Sequence, residues 1–323
     1  MDRPHASNLG TPLAVEMTGL TAWEACRRLS DLPHLLFLDS AVKSPQGRYS
    51  YVAADPREWL QWTDESGDPF AAVRGLLNRG RHDTIPELPP FQGGVAGLFG
   101  YELSRRLERL PRPIFNDFAL PDLAVGLYDW VLSFDNVTGR AWLIAAGPPD
   151  ERQNRADQVR RWLDRGPISF VQPSSARVPL NAPRFPVPDR SPLTSNFDRS
   201  GYEAVLRRAI DYIHAGDCFQ VNIAQRLQTP ARIAPLEVYA RLRQRNPAPF
   251  AGYFDLGDHA IGRGANRFQA RPQALGRDGD AARECPLQHL HPAAHCRERI
   301  LEVVRRSGQE IVPNPDPLAQ FGE

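Results

Sequence analysis

Lysine is what this chain most conspicuously lacks: of its 39 basic residues only Lys43 is a lysine, and the rest are arginine. Plentiful Arg, Ala and Pro point to GC-rich coding, but the chemical consequence stands regardless. Any reaction that needs a lysine amine must use Lys43 or do without. Cysteine is also scarce, with Cys26, Cys218, Cys285 and Cys296 spread over 323 residues, too sparse for a disulfide scaffold. No apolar run approaches the roughly 20 residues that span a bilayer, and "MDRPHASNLG" lacks the charged-then-apolar order of a secretion signal. A membrane location is therefore not expected, and the cytoplasm is the default. A formal charge of +1 gives no electrostatic reason for a nucleic-acid or anionic-membrane partner.

What is present reads as a globular chain, 41% hydrophobic and 24% charged, long enough to bury a sizeable core. "HLLFLDS" (34–40) and "RYSYVAAD" (48–55) read as strands joined by a turn holding Pro45 and Gly47. "WLQW" (59–62) alternates like another. "DPFAAVRGLLNRG" (68–80) reads as a helix with Pro69 in its first turn and Gly80 at its stop. "GGVAGLFGYELSRRLERLP" (93–111) runs from a glycine-rich strand into a short amphipathic helix. "LAVGLYDWVLSFDNVTGRAWLIAAG" (123–147) reads as two apolar strands around the turn Asp135-Asn136-Val137-Thr138-Gly139, and a polar helix occupies 150–165.

Seven prolines then fall between Gly166 and Pro192, marking 166–200 as a linker or surface strap. Tyr202, Val205, Leu206, Ala209, Ile210 and Ile213 follow the i, i+3, i+4 rule of a helix with one buried face. "AGDCFQVNIAQRL" (215–227) reads as a strand, with Phe219, Val221 and Ile223 packed inward and Gln220 and Asn222 on the other face, where they either line a polar site or lie wet. A helix from Pro235 to about Arg243 and a hairpin over 249–261 follow, turning at Gly257-Asp258. Beyond Ile261 the periodicity dissolves. I, i+3 patterning returns only briefly at 297–306.

Four stretches, in order, resemble the first component of the chorismate-using amidotransferases, that is, aminodeoxychorismate synthase and anthranilate synthase. They are "DS…RYSYVAADP" (39–56), "GGVAGLFGYELSRRLERLP", "GDCFQVNIAQRL" and "NPAPFAGYF" (246–254). The resemblance implies an α+β fold of large antiparallel sheets packed face to face with helices outside. It divides the chain into an N-terminal region (13–165), the proline-rich linker (166–200), the start of a chorismate-binding domain (201–261, incomplete) and a divergent tail (262–323). Asn222 and "LYDWVLSFDNVTGRAWLI" lean towards the aminodeoxychorismate branch, although a strand amide can equally sit on a wet face and satisfy neighbouring backbone. The activity implied is amination of chorismate in p-aminobenzoate and folate synthesis, with ammonia from a glutamine amidotransferase (glutaminase) subunit and with Mg²⁺. Anthranilate synthase is the alternative, as is a non-catalytic remnant that binds tryptophan or a partner.

The resemblance also implies a tryptophan pocket at Ser40, Gln46, Gly47, Arg48, Tyr49, Pro249, Phe250 and Ala251. A hydroxyl and backbone groups would hold the amino-acid head, and Phe250 would wall the indole. The bland alternative makes Phe250 core and Ser40 a strand end. The catalytic residues are where this chain departs. Asn266 stands where the family has an active-site glutamate, and an amide cannot exchange a proton as a carboxylate does. "ARPQALGR" (270–277) lacks the family's lysine, and no metal-binding glutamates are recognisable in 278–323. The expectation is a chain without catalytic residues and with no bound Mg²⁺. The cluster Cys285, His289, His291, His295 and Cys296 has five candidate zinc ligands, but its spacing is not that of a finger, and out-of-frame coding accounts for it better. "GGVAGLFG" lacks the Lys-Ser/Thr of a phosphate loop and reads as a close-packed strand.

Overall fold

The computed structural model describes residues 9–42, 44, 46–62, 67–110, 115, 120–166, 182–230, 233–257 and 260–265. The elements in chain order are β1 (Leu13–Met17), α1 (Ala22–Arg28), β2 (Leu36–Asp39), β3 (Tyr49–Ala53), β4 (Glu58–Trp62), α2 (Pro69–Arg79) and β5 (Gly94–Phe99). A 3₁₀ turn (Tyr101–Arg106) follows, then β6 (Leu123–Tyr128), β7 (Trp130–Asp135), β8 (Arg140–Ala145) and α3 (Pro149–Asp164). The remainder is β9 (Phe185–Pro186), β10 (Thr194–Ser195), α4 (Arg199–Ala215), β11 (Leu227–Gln228), α5 (Pro235–Arg245), β12 (Phe250–Asp255) and β13 (Ala260–Ala265). Among the described residues no helix is long and apolar enough to cross a membrane.

The chain forms two compact units. The first comprises Met1–Gly100, Asp122–Ile168 and Arg241–Glu323; the second comprises Tyr101–Pro121 and Ser169–Ala240. The β12–β13 hairpin, which pairs with β2, belongs to the first unit.

The first unit is built on a seven-stranded sheet in the order β1-β8-β7-β3-β2-β12-β13, every neighbouring pair antiparallel. A three-stranded antiparallel sheet, β4-β6-β5, lies against it. Alternation along the strands sends one set of side chains into the space between the sheets: Leu36, Tyr51, Ala53, Val131, Trp142, Ile144 and Phe254 meet Ala124, Tyr128 and Phe91, flanked by Trp59, Ala96 and Leu98. The opposite set, including Phe37, Val52 and Leu132, is fully buried on the other face. Here α1 packs on β3 and β7, and α3 on β8. The expected α+β architecture of face-to-face antiparallel sheets with helices outside is thus present in this unit.

Local chemistry accounts for the helix ends. Thr21 and Glu24 form a reciprocal capping box at α1: the Thr21 hydroxyl accepts from Glu24 N (3.2 Å) while the Glu24 carboxylate accepts from Thr21 N (3.1 Å). Asp68 accepts from Phe70 N (2.9 Å), Pro69 needs no hydrogen bond there, and Gly80 closes α2 as expected. The expected helix after β5 is a 3₁₀ turn instead.

The stretch 123–147 holds three strands rather than two. The first apolar run breaks at Asp129, so that β6 lies in the small sheet and β7 in the large one. β6 and β7 are buried throughout, so hydrophobicity does not change across the break. The polar residue between them, where the chain passes from one layer into the other, is held by Arg155 (3.3 Å).

Two expectations for the second unit fail. The helix over 201–213 forms as α4, capped by Asp198 and stopped by left-handed Gly216, but none of its residues is buried. An apolar stripe only makes a helix adhesive; it does not supply the surface to adhere to. "DCFQVNIAQR" is not a strand. Only Leu227–Gln228 pairs, in a small sheet with β10 and β9, and Phe219 is 94% exposed. Alternation predicts a strand only where a ladder partner exists; beyond Arg226, whose carbonyl accepts from Asn196 N at 3.1 Å, 217–225 lies in no ladder.

Candidate functional site

The pairing of β2 with β12 sets the geometry. Asp39 is opposite Ala251 and Gly252 opposite Leu38. The same register carried past the strand ends brings Ser40 opposite Phe250 and Val42 opposite Ala248, where Val42 N donates to Ala248 O at 3.3 Å. On the other side Leu38 is opposite Tyr51, which brings Ser40 opposite Tyr49, and Tyr49 is opposite Asp135. Phe250, Ser40, Tyr49 and Asp135 therefore form a lateral row across four strands, on the face that carries Leu36, Tyr51 and Phe254 into the core.

Hydrogen bonds fix this row. Ser40 Oγ donates to Tyr49 O (2.7 Å), and Ser40 N donates to Ser50 Oγ (3.1 Å). Ser50, only 2% exposed, also accepts from Asn136 Nδ2 (3.0 Å). Arg48 grips Asp135 through Nε (3.0 Å) and a terminal nitrogen (2.7 Å), and its guanidinium lies 4.9 Å from the Tyr49 ring centre. The Asp135 carboxylate also accepts from Val137 N and Thr138 N. Burial works against its charge, but Arg48 and these two amides outweigh it, holding the carboxyl below its ordinary range. The same contact raises Arg48.

Gly47 closes the site by close approach. A Cβ there would stand 2.8 Å from Val42 O and 3.1 Å from both Cα and O of Pro249. Only glycine lets the β2–β3 loop lie on the backbone after α5. Of the expected pocket residues, Ser40, Gly47, Tyr49, Pro249 and Phe250 are thus brought together. Gln46 is exposed, Arg48 is engaged by Asp135, and Ala251 occupies the alternate strand position beside the row. Phe250 is 43% exposed, so it is not core.

Behind the row, on the opposite sheet face, Asp39 is buried and paired with Arg243 of α5 at 2.7 Å, while Arg243 lies 5.6 Å from the Trp23 ring centre. Cys26 of α1 is fully buried beside this pair; burial first, and then the charge of Asp39, pushes its thiol far up, so it is not a nucleophile. Asp39, Arg243, Asp135 and Asn136 were not anticipated as site residues. A carboxylate inside "LFLD" was the available signal for the first; the others depend on register.

Gln220 and Asn222 lie in the other unit, both exposed and in irregular chain, with Gln220 Nε2 donating to Asn222 Oδ1 at 3.4 Å. Lys43, Asn266 and the Cys/His cluster at 285–296 lie outside the described residues. A wide, open depression of about 710 Å³ beside α3 is lined by Asp55, Arg57, Asp129, Glu151, Arg155 and Arg161. Five of these charges pair with one another: Arg155 holds Asp55 (2.8 Å) and Asp129 (3.3 Å), and Arg57 holds Glu151 (3.1 Å).

A two-sheet body whose central strands end in an aromatic–hydroxyl row is the setting for the comparison with known proteins. The model of the chorismate binding enzyme family matches residues 39–269, and the chain belongs to that family. Anthranilate synthase component 1 of Thermus thermophilus is 32% identical over 296 residues, covering 86% of this chain and 60% of the relative. Aminodeoxychorismate synthase component 1 is 39% identical over 248 residues in Salmonella typhimurium, covering 72% of this chain and 50% of the relative, and 32% identical over 249 residues in Escherichia coli, covering 72% and 51%. The chain spans about half the length of these aminodeoxychorismate synthase relatives. Among solved structures it is similar to anthranilate synthase component I from Streptococcus pneumoniae, with a TM-score of 0.49, 20% identity, and coverage of 68% of this chain and 50% of the other.

Proposed function

We propose that this chain is of the aminodeoxychorismate synthase component 1 type, that it keeps an aromatic amino-acid site at the Phe250–Ser40–Tyr49 row, and that it does not by itself aminate chorismate. The row carries the binding half of this reading. The register sets Phe250 and Tyr49 on either side of Ser40, two aromatic side chains for an indole flanking a hydroxyl for its polar head. The branch assignment is supported by the 39% identity to the Salmonella protein and by Asn222.

The absence of turnover follows from residue chemistry. Amination at the ring of chorismate calls for groups that exchange protons and for the family's lysine. Asn266 cannot exchange a proton, and Lys43, in the β2–β3 loop, is the only lysine. The complete synthases implied by the resemblance use Mg²⁺ to neutralise a carboxylate and a glutaminase subunit to deliver ammonia. Among the described residues no three His, Cys, Asp or Glu side chains gather where an ion would bind.

A second reading, anthranilate synthase component 1, is favoured by the longer stretch shared with the Thermus protein. One assay separates the readings. The chain is incubated with chorismate, ammonia, Mg²⁺ and excess aminodeoxychorismate lyase, and p-aminobenzoate and anthranilate are followed by fluorescence. Neither should rise above a boiled control. Formation of p-aminobenzoate would overturn the claim of inactivity while keeping the branch, and anthranilate would move the chain to the second reading.

A further inference from the structure

Away from the row, His82 carries a buried polar atom whose requirement the chain does not meet. The residue is only 6% exposed, and its Nδ1 lies 2.7 Å from Asp83 O. A carbonyl oxygen only accepts, so Nδ1 carries the hydrogen, and in the uncharged ring Nε2 is then a bare acceptor. Nε2 is buried, and no protein group among the described residues bonds to it. Leaving such an acceptor unmet is costly, and proteins meet nearly all of them, with ordered water where the chain offers no donor. The ring is not free to turn out to solvent with its segment, because the backbone on either side is tied down. Leu9 N donates to Arg81 O (2.9 Å) and Asp83 N to Gly10 O (3.1 Å).

The surroundings define what can meet it. His82 borders a small cavity whose wall also holds Gly80, Leu127, Tyr128 and Asp129. The cavity leaves about 10 Å³ for the centre of a water molecule, which is room for one water and for nothing larger. Gly93 shows where a second partner lies. The Cβ it lacks would stand 3.1 Å from Tyr128 O and 3.4 Å from His82 Nε2, so both acceptors border the space that the missing side chain leaves. A φ of +115° keeps that position a glycine. The occupant must therefore be one heavy atom in size and must donate twice. We propose that His82 Nε2 and Tyr128 O hold a single internal water molecule, which gives one hydrogen to each. It joins the segment 81–83 to the start of the β5–β6 pair, where Gly94 stands opposite Tyr128. The site belongs to the scaffold of the first unit and does not depend on what the row binds.

The test is a crystal structure of the full chain, grown without ammonium salts and at a resolution that shows ordered water. One peak should lie about 2.7–3.2 Å from both His82 Nε2 and Tyr128 O. In solution, ¹⁵N spectra should show His82 with its hydrogen on Nδ1, and its ring protons should give a cross-peak to a bound water. His82→Phe keeps the bulk of the ring and removes both nitrogens, so the peak should vanish from its structure while Gly93 and Tyr128 stay in place. If that variant fails to fold, the wild-type peak and tautomer still decide. No peak in the ammonium-free crystals would overturn the proposal, as would one that appears only when ammonium, the other double donor of this size, is supplied. A neutral ring protonated at Nε2, or a peak that survives His82→Phe unchanged, would overturn it equally.

Discussion

Arg243→Ala should be among the more damaging single substitutions in the first unit, although Arg243 is itself partly exposed. Its partner decides the cost. The Asp39 side chain is fully buried and its oxygens lie 2.7 and 3.4 Å from the guanidinium. Removing the cation leaves a carboxylate in the core, for which breaking a buried pair costs about 3–5 kcal/mol. Because Arg243 retains 28% exposure, water reaches part of the pair, and the low end of that range, about 3 kcal/mol, is the better figure. Loss of the stack on Trp23 adds about 0.5 kcal/mol. For a body of this size the sum corresponds to a fall in Tm of roughly 7–14 °C by differential scanning fluorimetry. The double variant Asp39→Leu with Arg243→Leu removes both charges and should recover most of the loss, to within about 1 kcal/mol of wild type. If Arg243→Ala melts within 2 °C or so of wild type, or the double variant is worse than the single, the pair is not carrying the buried charge.

Two further outcomes follow from exposure and charge. The carboxyl of Asp135 is held below its ordinary value of 3.8, so its ionised form stabilises the fold above that pH, and the contribution is lost as pH falls through the lower folded-state value. Asp135→Asn should therefore cost about 1.5 kcal/mol at pH 7, with the gap to wild type closing in thermal melts below about pH 4; a gap that widens on acidification contradicts the assignment. Val221 is 42% exposed in irregular chain, so Val221→Asp should change Tm and soluble yield little, within about 0.5 kcal/mol. Loss of soluble expression would restore the buried strand that alternation predicts.

How much of this was legible in the sequence depended on the range of the interaction responsible. α2 announced both of its ends, because an Asp-Pro start and a Gly stop act within one turn. β2, β3 and the β12–β13 hairpin were legible from composition and turn residues. The break at Asp129 was not, because β6 and β7 are both wholly buried and a single polar residue carries the information. The strand expected at 215–227 had correct alternation and no neighbour, a fact that no window of sequence contains. The site divides in the same way. Ser40, Gly47 and Phe250 were found through motif resemblance, whereas Asp135 and Asn136 read only as a hairpin turn. Their part depends on Tyr49 standing opposite Asp135, which is a matter of register.

The position of β2 has a consequence for how the protein is made. Once residue 145 has left the ribosome, β1, β8, β7, β3 and β2 are all available to pair, but β2 is then the rim of the sheet. Its outer neighbour, β12, is translated only after the entire second unit, on the order of 5–20 seconds later at usual elongation speeds. During that interval Leu36 and Phe37 belong to an unprotected apolar edge, the kind that zips onto other chains. The closing of this sheet therefore depends on timing as well as affinity. A nascent chain that pauses between α3 and α5 is at its stickiest, and a chaperone that guards β2 would be needed for that interval alone.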